Sequence, residues 1–140
     1  ANLAPSAGNL QARDFIIIDD KTIKQKLSTA AFDQNFIVEA PITIVVCANL
    51  KRISSYETRG RELYCIQDAS AAVEHILLLA VDAGLDACWV GAFNENKVSI
   101  ILHLPSYERP IAIIPIGYSN KQKLSTSRMD IHVLIHRNHW

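Results

Sequence analysis

The 140-residue sequence lacks the glycine-rich patterns with which many folds bind nucleotide phosphates. Neither the dinucleotide fingerprint nor the Walker pattern occurs, and Arg59-Gly60-Arg61 carries only a single glycine. No G-x-S-x-G nucleophile elbow is present, and no cysteine stands in a recognised catalytic pattern. A Rossmann-type dehydrogenase and a hydrolase with a nucleophilic side chain are therefore poor interpretations of this chain.

The sequence also has no excess of charge of either sign. Lysine plus arginine and aspartate plus glutamate number 14 each, which gives a formal net charge of +0 at pH 7. This balance does not favour nucleic acid or an anionic membrane surface as a partner. Apolar runs such as 76–81 and 111–116 are far shorter than a membrane span, and no basic-then-apolar leader pattern is present. We therefore expect no nucleic-acid partner and no membrane partner.

Cysteine is scarce, and no cluster of metal-ligating residues stands out. Cys47, Cys65 and Cys88 are isolated and lie in apolar surroundings, which predicts reduced core thiols in a cytoplasmic protein. Three histidines in 132–139 have a spacing that could bring two rings to one helix face, but no cysteine or carboxylate cluster is close by. We expect no metal site.

Apolar residues are abundant, at 49% of the chain with a mean hydropathy of +0.11. A chain of this length forms one domain, residues 1–140, with a real core, and a partner chain could cover the remaining apolar surface. The segment 68–84 is apolar on nearly all sides of a helix, interrupted only by Glu74, His75 and Asp82. Such a helix is expected to lie between its own sheet and a second subunit.

Strands separated by helices predict a layered α/β or α+β protein. Apolar, partly β-branched runs predict strands at 15–18, 42–48, 85–90 and 111–117, the first buried on both faces. Pro115 indicates that the last strand lies at an edge of the sheet, ends near this residue or contains a bulge there. Helical spacing covers 21–31, with lysines outward, and a helix capped by Asn94 runs to about Leu102. The polar segment 51–60 predicts a mobile loop.

The segment 5–11, PSAGNLQ, leads directly into the first strand. Glycine lets a backbone approach a ligand closely, and the serine, asparagine and glutamine side chains can form hydrogen bonds with it. The same residue types are common in ordinary turns. A binding loop and a simple turn both remain open on these residues alone.

Two further features could bind a ligand. Gly91 ends the third predicted strand, where open sheets often hold ligands, although taken by itself this glycine is better explained by a structural turn. Basic residues of the tail outnumber its acidic one: Lys121, Lys123, Arg128 and Arg137 against Asp130. They could hold a phosphate or form a solvated tail. No acid, base or nucleophile is evident, which is typical of enzymes whose cofactor performs the chemistry.

Four segments in this order resemble the nitroreductase family of FMN-dependent oxidoreductases: 4–11 (APSAGNLQ), 67–72 (QDASAA), 85–93 (LDACWVGAF) and 110–118 (PIAIIPIGY). The resemblance implies an α+β fold in three α/β/α layers, with a mixed sheet flanked by helices. It also implies FMN at a homodimer interface and a C-terminal tail, about 119–140, that wraps the partner subunit.

The resemblance further implies which residues hold the cofactor. Pro5, Ser6, Asn9 and Gln11 match the loop that holds the flavin ring and ribityl chain. Family members often have Pro-Trp after that glutamine, whereas this chain has Ala12-Arg13. This departure leaves the environment beside the flavin, and thus the substrate preference, open.

The matching strand-end turn is Val90-Gly91, whose backbone is expected to face the flavin near its hydride-accepting nitrogen. Arg128 resembles the tail residue that pairs with the FMN phosphate, with Lys121 and Lys123 as substitutes. The family's N-terminal helix and Arg-rich phosphate segment would precede Ala1, so we expect an N-terminally incomplete domain.

The implied activity is oxidation of NADH or NADPH with reduction of nitroaromatic, quinone or similar electron-poor acceptors. Two hydride-transfer half-reactions through FMN would link donor and acceptor. Other FMN chemistry on the same fold, such as reductive dehalogenation or a flavin-consuming reaction, is an alternative. A non-catalytic flavin-binding protein is another.

Overall fold

The structure is a computed structural model that describes residues 1–119 and 126–140. One sheet of four strands is built from β1 (Arg13–Ile18), β2 (Ile42–Asn49), β3 (Asp86–Ala87) and β4 (Glu108–Gly117). Its strand order is β1-β2-β4-β3. The mixed sheet implied by the resemblance is antiparallel at all three strand pairings among the described residues.

Helices connect these strands. They are α1 (Lys21–Ala30), α2 (Phe36–Glu39), α3 (Glu57–Arg59), α4 (Cys65–Asp82), α5 (Glu95–Ile101) and α6 (Ile131–Leu134). The Asp20 carboxylate caps α1 by accepting a hydrogen bond from the Ile23 amide at 2.8 Å. Asn94 caps α5 as predicted, since its side-chain oxygen accepts from the Lys97 amide at 2.9 Å.

The sheet separates two hydrophobic cores. On one face α4 packs against a core made of Ala12, Val46, Ala48, Ile53, Cys65, Ala69, Val73, Ile76, Ala112 and Ile114. On the other face α1 and α5 enclose a core made of Ile18, Leu27, Ala30, Ala31, Ile37, Val45, Cys47, Val90, Val98 and Ile113. Helices on both faces of a sheet confirm the expected three-layer α+β fold.

The first strand differs from its prediction. Phe15 is 36% exposed and Ile17 is 70% exposed, so β1 is not buried on both faces. It is an edge strand of the sheet, and α4 lies mainly over β2 and β4. A continuous apolar run cannot distinguish a fully buried strand from an edge strand whose apolar face lacks a covering element.

The third strand is shorter than predicted, and Pro115 lies in an interior strand. Only Asp86–Ala87 pair continuously with β4, and Val90 forms an isolated bridge with Ile113. Pro115 pairs with Thr43 near the end of β4, which satisfies the predicted strand end but not the edge. The irregular register lies elsewhere, between Val46 and Cys47 of β2.

The segment predicted as a mobile loop is largely helical. Turns at Ser54–Tyr56, α3 and a π-helical turn at Gly60–Tyr64 lead into α4. Ile53 is fully buried in the core on the α4 face, which ties this polar segment to the body. Helix α4 therefore begins at Cys65, three residues before the predicted start.

The helical run Ser54–Asp82 is long and apolar enough, by length and composition alone, to cross a membrane. A single helix of this kind is weak evidence for a span, because a helix that packs in a protein core passes the same test. One side of α4 packs on the sheet through Ala69, Val73 and Ile76, as the core helix of a layered fold does. Leu78, Leu79 and Val81 point away from it and are more than half exposed.

One charged side chain and one thiol also depart from expectation. Lys24 of α1 does not face outward: it is 5% exposed, and its Nζ donates to the carbonyls of Ala40 and Pro41 at 2.6 and 3.3 Å. Cys47 and Cys65 are buried as predicted, but Cys88 is exposed, because β3 ends before it.

Candidate flavin site

The loop 5–11 has an unusual backbone. Gly8, Asn9 and Gln11 all have positive φ angles, of 56°, 56° and 52°. A Cβ on Gly8 would lie 2.6 Å from the hydroxyl oxygen of Tyr56, so the Tyr56 side chain would have to shift to admit any other residue. Three left-handed residues within four positions give this loop a specific backbone shape.

Hydrogen bonds within the loop fix its shape. The Ser6 hydroxyl oxygen accepts from the Gln11 amide at 3.0 Å, and the Ser6 carbonyl accepts from the Asn9 amide at 3.0 Å. The Gln11 side chain donates to the Asn9 carbonyl at 3.2 Å. Ser6 thus closes the loop while its own hydroxyl proton stays available to a ligand. The Asn9 side chain is exposed and has no hydrogen bond among the described residues.

Asp68, at the start of the predicted central helix, holds both ends of the loop. It is 4% exposed, and its two oxygens accept from the amides of Ala7 and Ala12 at 2.9 and 3.4 Å. Sequence reasoning placed Asp68 in a family segment but gave it no role. The available signal was a single acid on the apolar face that packs on the sheet.

Arg13, one of the two departures from the family pattern, folds back onto the chain preceding the loop. It is 3% exposed, and its guanidinium donates to the carbonyls of Asn2, Ala4 and Pro5 at 2.9, 2.8 and 3.3 Å. Its neighbour Ala12 is fully buried in the core on the α4 face. Both residues therefore support the loop from within the fold.

A network of polar side chains holds the end of the loop. Arg52 donates to the carbonyls of Gln11 and Arg13, both at 2.8 Å, and forms an ion pair with Asp14 at 2.7 Å. The side-chain amide of Asn49 donates to Asp14 at 2.8 Å and also to Glu108 of β4. The edge strand β1 and the loop end are thereby tied to the centre of the sheet.

The two carboxyl groups of this network titrate differently. Burial, followed by the neighbouring Asp14 carboxylate, raises the pKa of Glu108 to about 8. Burial also pushes the pKa of Asp14 upward, but hydrogen bonds from Arg52 and Asn49 outweigh it and leave that pKa lowered. At neutral pH Glu108 is therefore largely protonated beside an ionised Asp14.

The strand-end turn offers one backbone donor. The Val90 amide donates to the Ile113 carbonyl at 3.0 Å, so it is already used within the sheet. Gly91 is exposed, and a Cβ built on it would meet nothing nearer than Trp89 Nε1 at 3.8 Å. Of the two predicted residues, Gly91 is the one whose amide can reach a ligand.

Arg128 lies in the exposed tail. Its Nη1 donates to the Thr126 carbonyl and hydroxyl at 3.4 and 2.5 Å and to the Ser127 carbonyl at 3.2 Å. Lys121 and Lys123, the predicted substitutes, lie outside the described residues. Within the described part of the chain, no hydrogen bond joins residues 126–140 to residues 1–119.

The predicted site residues are thus in separate places within one chain. Ala7 and Leu10 of the loop pack on the core beneath α4, whereas Val90 belongs to the core on the opposite face of the sheet. A cleft of about 450 Å³ beside β3 is lined by Cys88 and Tyr118 but by no loop residue. A single chain therefore forms the loop 5–11, but it does not bring that loop and the strand-end turn into one site.

The available groups fit a flavin nucleotide by their chemistry. A flavin ring presents carbonyl oxygens and ring nitrogens, its ribityl chain presents hydroxyls, and its phosphate is anionic. The free groups found at Ser6, Asn9 and Gly91 are hydrogen-bond donors, and Arg128 is a cation suited to phosphate. The loop contains no carboxylate, imidazole, amine or thiol that could act as a general base or activate the Ser6 hydroxyl as a nucleophile.

The fold is an α+β sheet with helices on both faces, and its loop 5–11 presents hydrogen-bond donors in the backbone and in short polar side chains. The family model described as the nitroreductase family matches residues 30–118. The chain belongs to the nitroreductase family.

Similar individual proteins support this family assignment. The chain is 34% identical over 127 residues to an Archaeoglobus fulgidus protein named as an NADH dehydrogenase/NAD(P)H nitroreductase, with 88% of this chain and 70% of that protein covered. It is 28% identical over 148 residues to a Bacillus subtilis FMN reductase [NAD(P)H]; the match covers 96% of this chain and 59% of that protein. An FMN-dependent nitroreductase from Clostridium difficile has a similar structure, with a TM-score of 0.82 and 28% identity over 99% of this chain and 82% of that one.

Proposed function

We propose that this chain is an FMN-dependent NAD(P)H oxidoreductase that reduces nitroaromatic, quinone or similar electron-poor acceptors. The observation that carries this proposal is the loop 5–11, whose free donors suit a flavin in a chain that belongs to the nitroreductase family. Bound FMN would supply the hydride chemistry, accepting from NADH or NADPH in one half-reaction and donating to the acceptor in the other.

The chain's own residues bind and orient the cofactor. The Ser6 hydroxyl and the Asn9 side-chain amide donate hydrogen bonds to the flavin ring and ribityl chain, while Pro5 and Gln11 shape the loop. The Gly91 amide donates toward the edge of the ring where negative charge develops on reduction. Arg128 pairs with the phosphate. No residue need act as catalytic acid or base.

We also propose that the cofactor lies between two copies of this chain. Within one chain the loop and Val90 pack on opposite faces of the sheet, which suits a site that takes its loop from one subunit and its strand-end turn from the other. The exposed apolar residues of α4 and β1 provide a surface for the second copy. The tail, about 119–140, would wrap the partner, in a cytoplasmic homodimer.

Reconstitution of the full chain with FMN tests this function. The complex should be yellow, release FMN on denaturation, and oxidise NADH or NADPH only when menadione or a nitrofuran is supplied. Asn9→Ala should weaken FMN binding about tenfold, because one hydrogen bond to the cofactor is lost. Asn96→Ala, the same change at an exposed position of α5, should not alter binding. A protein that takes up no FMN would contradict the proposal.

A further inference from the structure

Two buried charges of opposite sign lie beside the loop, and neither is in an ion pair within the described part of the chain. Asp68 is 4% exposed and Arg13 is 3% exposed. Burying an isolated charge is costly, and proteins usually offset that cost with a partner of opposite charge. Here the hydrogen bonds of both groups go to backbone atoms of residues 2–12 instead.

The two side chains hold complementary backbone groups. Asp68 accepts from two amides, at Ala7 and Ala12, which bracket the left-handed residues of the loop. Arg13 donates to three carbonyls in the segment that leads into the loop. Even so, the Nε of Arg13 is buried without a hydrogen-bond partner in the described structure. A charge retained at that cost indicates a role in shaping the backbone.

We propose that Asp68 and Arg13 are positioning residues that hold the loop 5–11 in its cofactor-binding shape before the cofactor binds. The inference rests on the proposed function for the identity of the cofactor. Each of these contacts joins a side chain to the protein backbone, so none of them needs a ligand in order to form. Left-handed φ angles at Asn9 and Gln11 are unfavourable for residues with a Cβ, so the loop needs external contacts to stay in this shape.

A preformed loop strengthens binding because the cofactor need not order the backbone on arrival. Loss of either contact should therefore appear as weaker FMN binding, even though neither side chain touches FMN. It should also appear without FMN, as faster exchange of the loop amides with solvent. The second readout does not depend on the proposed function.

Asp68→Asn is the sharpest variant, with Asp19→Asn as its control. The amide side chain keeps one acceptor but turns an NH2 group toward the other backbone N–H, so one of the two bonds is lost. In the full chain without FMN, we expect the Ala7 or Ala12 amide to exchange at least about tenfold faster. FMN affinity should fall about 10- to 100-fold, with the absorption spectrum at saturating FMN unchanged. Asp19 is exposed and undergoes the same chemical change, so its variant should match the wild type in both.

Arg13→Lys provides a second variant that keeps the charge. An ammonium group cannot reach three carbonyls with the geometry of a guanidinium, so loop amide exchange should rise and FMN affinity should fall about tenfold. A lower melting temperature with unchanged loop exchange and FMN affinity in both variants would overturn the inference, because it would show a structural role alone. If the wild-type chain binds no FMN, the proposed function fails, while amide exchange still decides whether these residues hold the loop.

Discussion

Gly8 shows how a single residue sets the shape of the candidate site. Its φ is 56°, and a Cβ there would lie 2.6 Å from the Tyr56 hydroxyl, so any other residue would strain the backbone and displace the Tyr56 side chain. Gly84 has a similar φ of 71°, but nothing lies within 4 Å of its Cβ position. A substitution at Gly84 would therefore test backbone strain alone, whereas a substitution at Gly8 would test backbone strain together with the steric conflict with Tyr56.

Gly8→Ala should lower the free energy of unfolding by more than Gly84→Ala does. Alanine in the left-handed region costs about 1–2 kcal/mol at either position, and only Gly8→Ala adds the conflict with Tyr56. Urea denaturation measures both. Combining Gly8→Ala with Tyr56→Phe removes the nearest atom and should restore part of the loss. Equal losses for the two single variants would contradict this account.

Glu108 gives the molecule a pH dependence with a definite sign. Its pKa is raised from 4.5 to about 8, so the folded chain retains a proton that the unfolded chain releases. The free energy of unfolding contributed by this group is complete below about pH 4.5 and is lost as the pH rises through 8. Asp14, with its lowered pKa, acts in the opposite direction at acidic pH.

Glu108→Gln should remove this decline in stability between pH 5 and pH 9, because glutamine mimics the protonated acid at every pH. Denaturation of the wild type and the variant at several pH values in that range measures the difference. Glu62→Gln, at an exposed position of the π-helical turn, should retain the wild-type profile. Parallel profiles for Glu108→Gln and wild type would show that Glu108 carries no extra proton.

At the scale of elements, helix α5 begins at Glu95, four residues after Gly91 of the strand-end turn. The Asn94 side chain caps the helix, and its backbone amide donates to the Ala30 carbonyl at the end of α1 at 2.9 Å. Asn94 thus fixes the start of α5 relative to α1, and with it the path of the chain that follows Gly91. A loss of the cap should affect the stability of this layer first.

Asn94→Ala should destabilise the protein by about 0.5–2 kcal/mol, the usual cost of an N-cap. Asn96→Ala, inside the same helix and exposed, should change stability by no more than about 0.5 kcal/mol. Thermal unfolding of both variants checks the difference. A similar loss in both would mean that the side chain of Asn94 does not cap α5.

Elements were predictable where their local pattern was strong. The helix at Lys21–Ala30, the cap at Asn94 and the strands β2 and β4 followed from apolar spacing and capping chemistry. The helical turns at 54–64 did not, because a polar composition hides the single buried Ile53 that anchors them. The exposure of β1 could not be predicted from the sequence either, because it depends on how far α4 extends across the sheet.

At the scale of the whole molecule, α4 exposes a group of apolar side chains. Leu78, Leu79 and Val81 are 60%, 54% and 64% exposed, on the side of α4 opposite the sheet. We proposed above that a second copy covers them. That assembly would also decide whether the loop and the strand-end turn form one site.

If the proposed dimer forms through α4, the double variant Leu79→Lys with Val81→Lys should convert it to a monomer of 15.6 kDa and abolish FMN retention. Two buried charges at an apolar interface cost far more than such an interface can offset. Ile100→Lys, at a position 73% exposed on α5, should leave the dimer and its FMN intact. Light scattering with flavin quantitation measures both. An unchanged mass for the double variant would place the interface elsewhere.

The sequence by itself determined the layered α+β class, the family and the loop 5–11 as the candidate binding element. These follow from local features: apolar periodicity, turn residues and short motifs in a fixed order. Tertiary structure decided which polar groups support that loop. Asp68 meets Ala7 across 61 residues, and Glu108 meets Asn49 across 59. Burial and protonation of such groups depend on neighbours that only the folded chain brings together, and no local pattern encodes them.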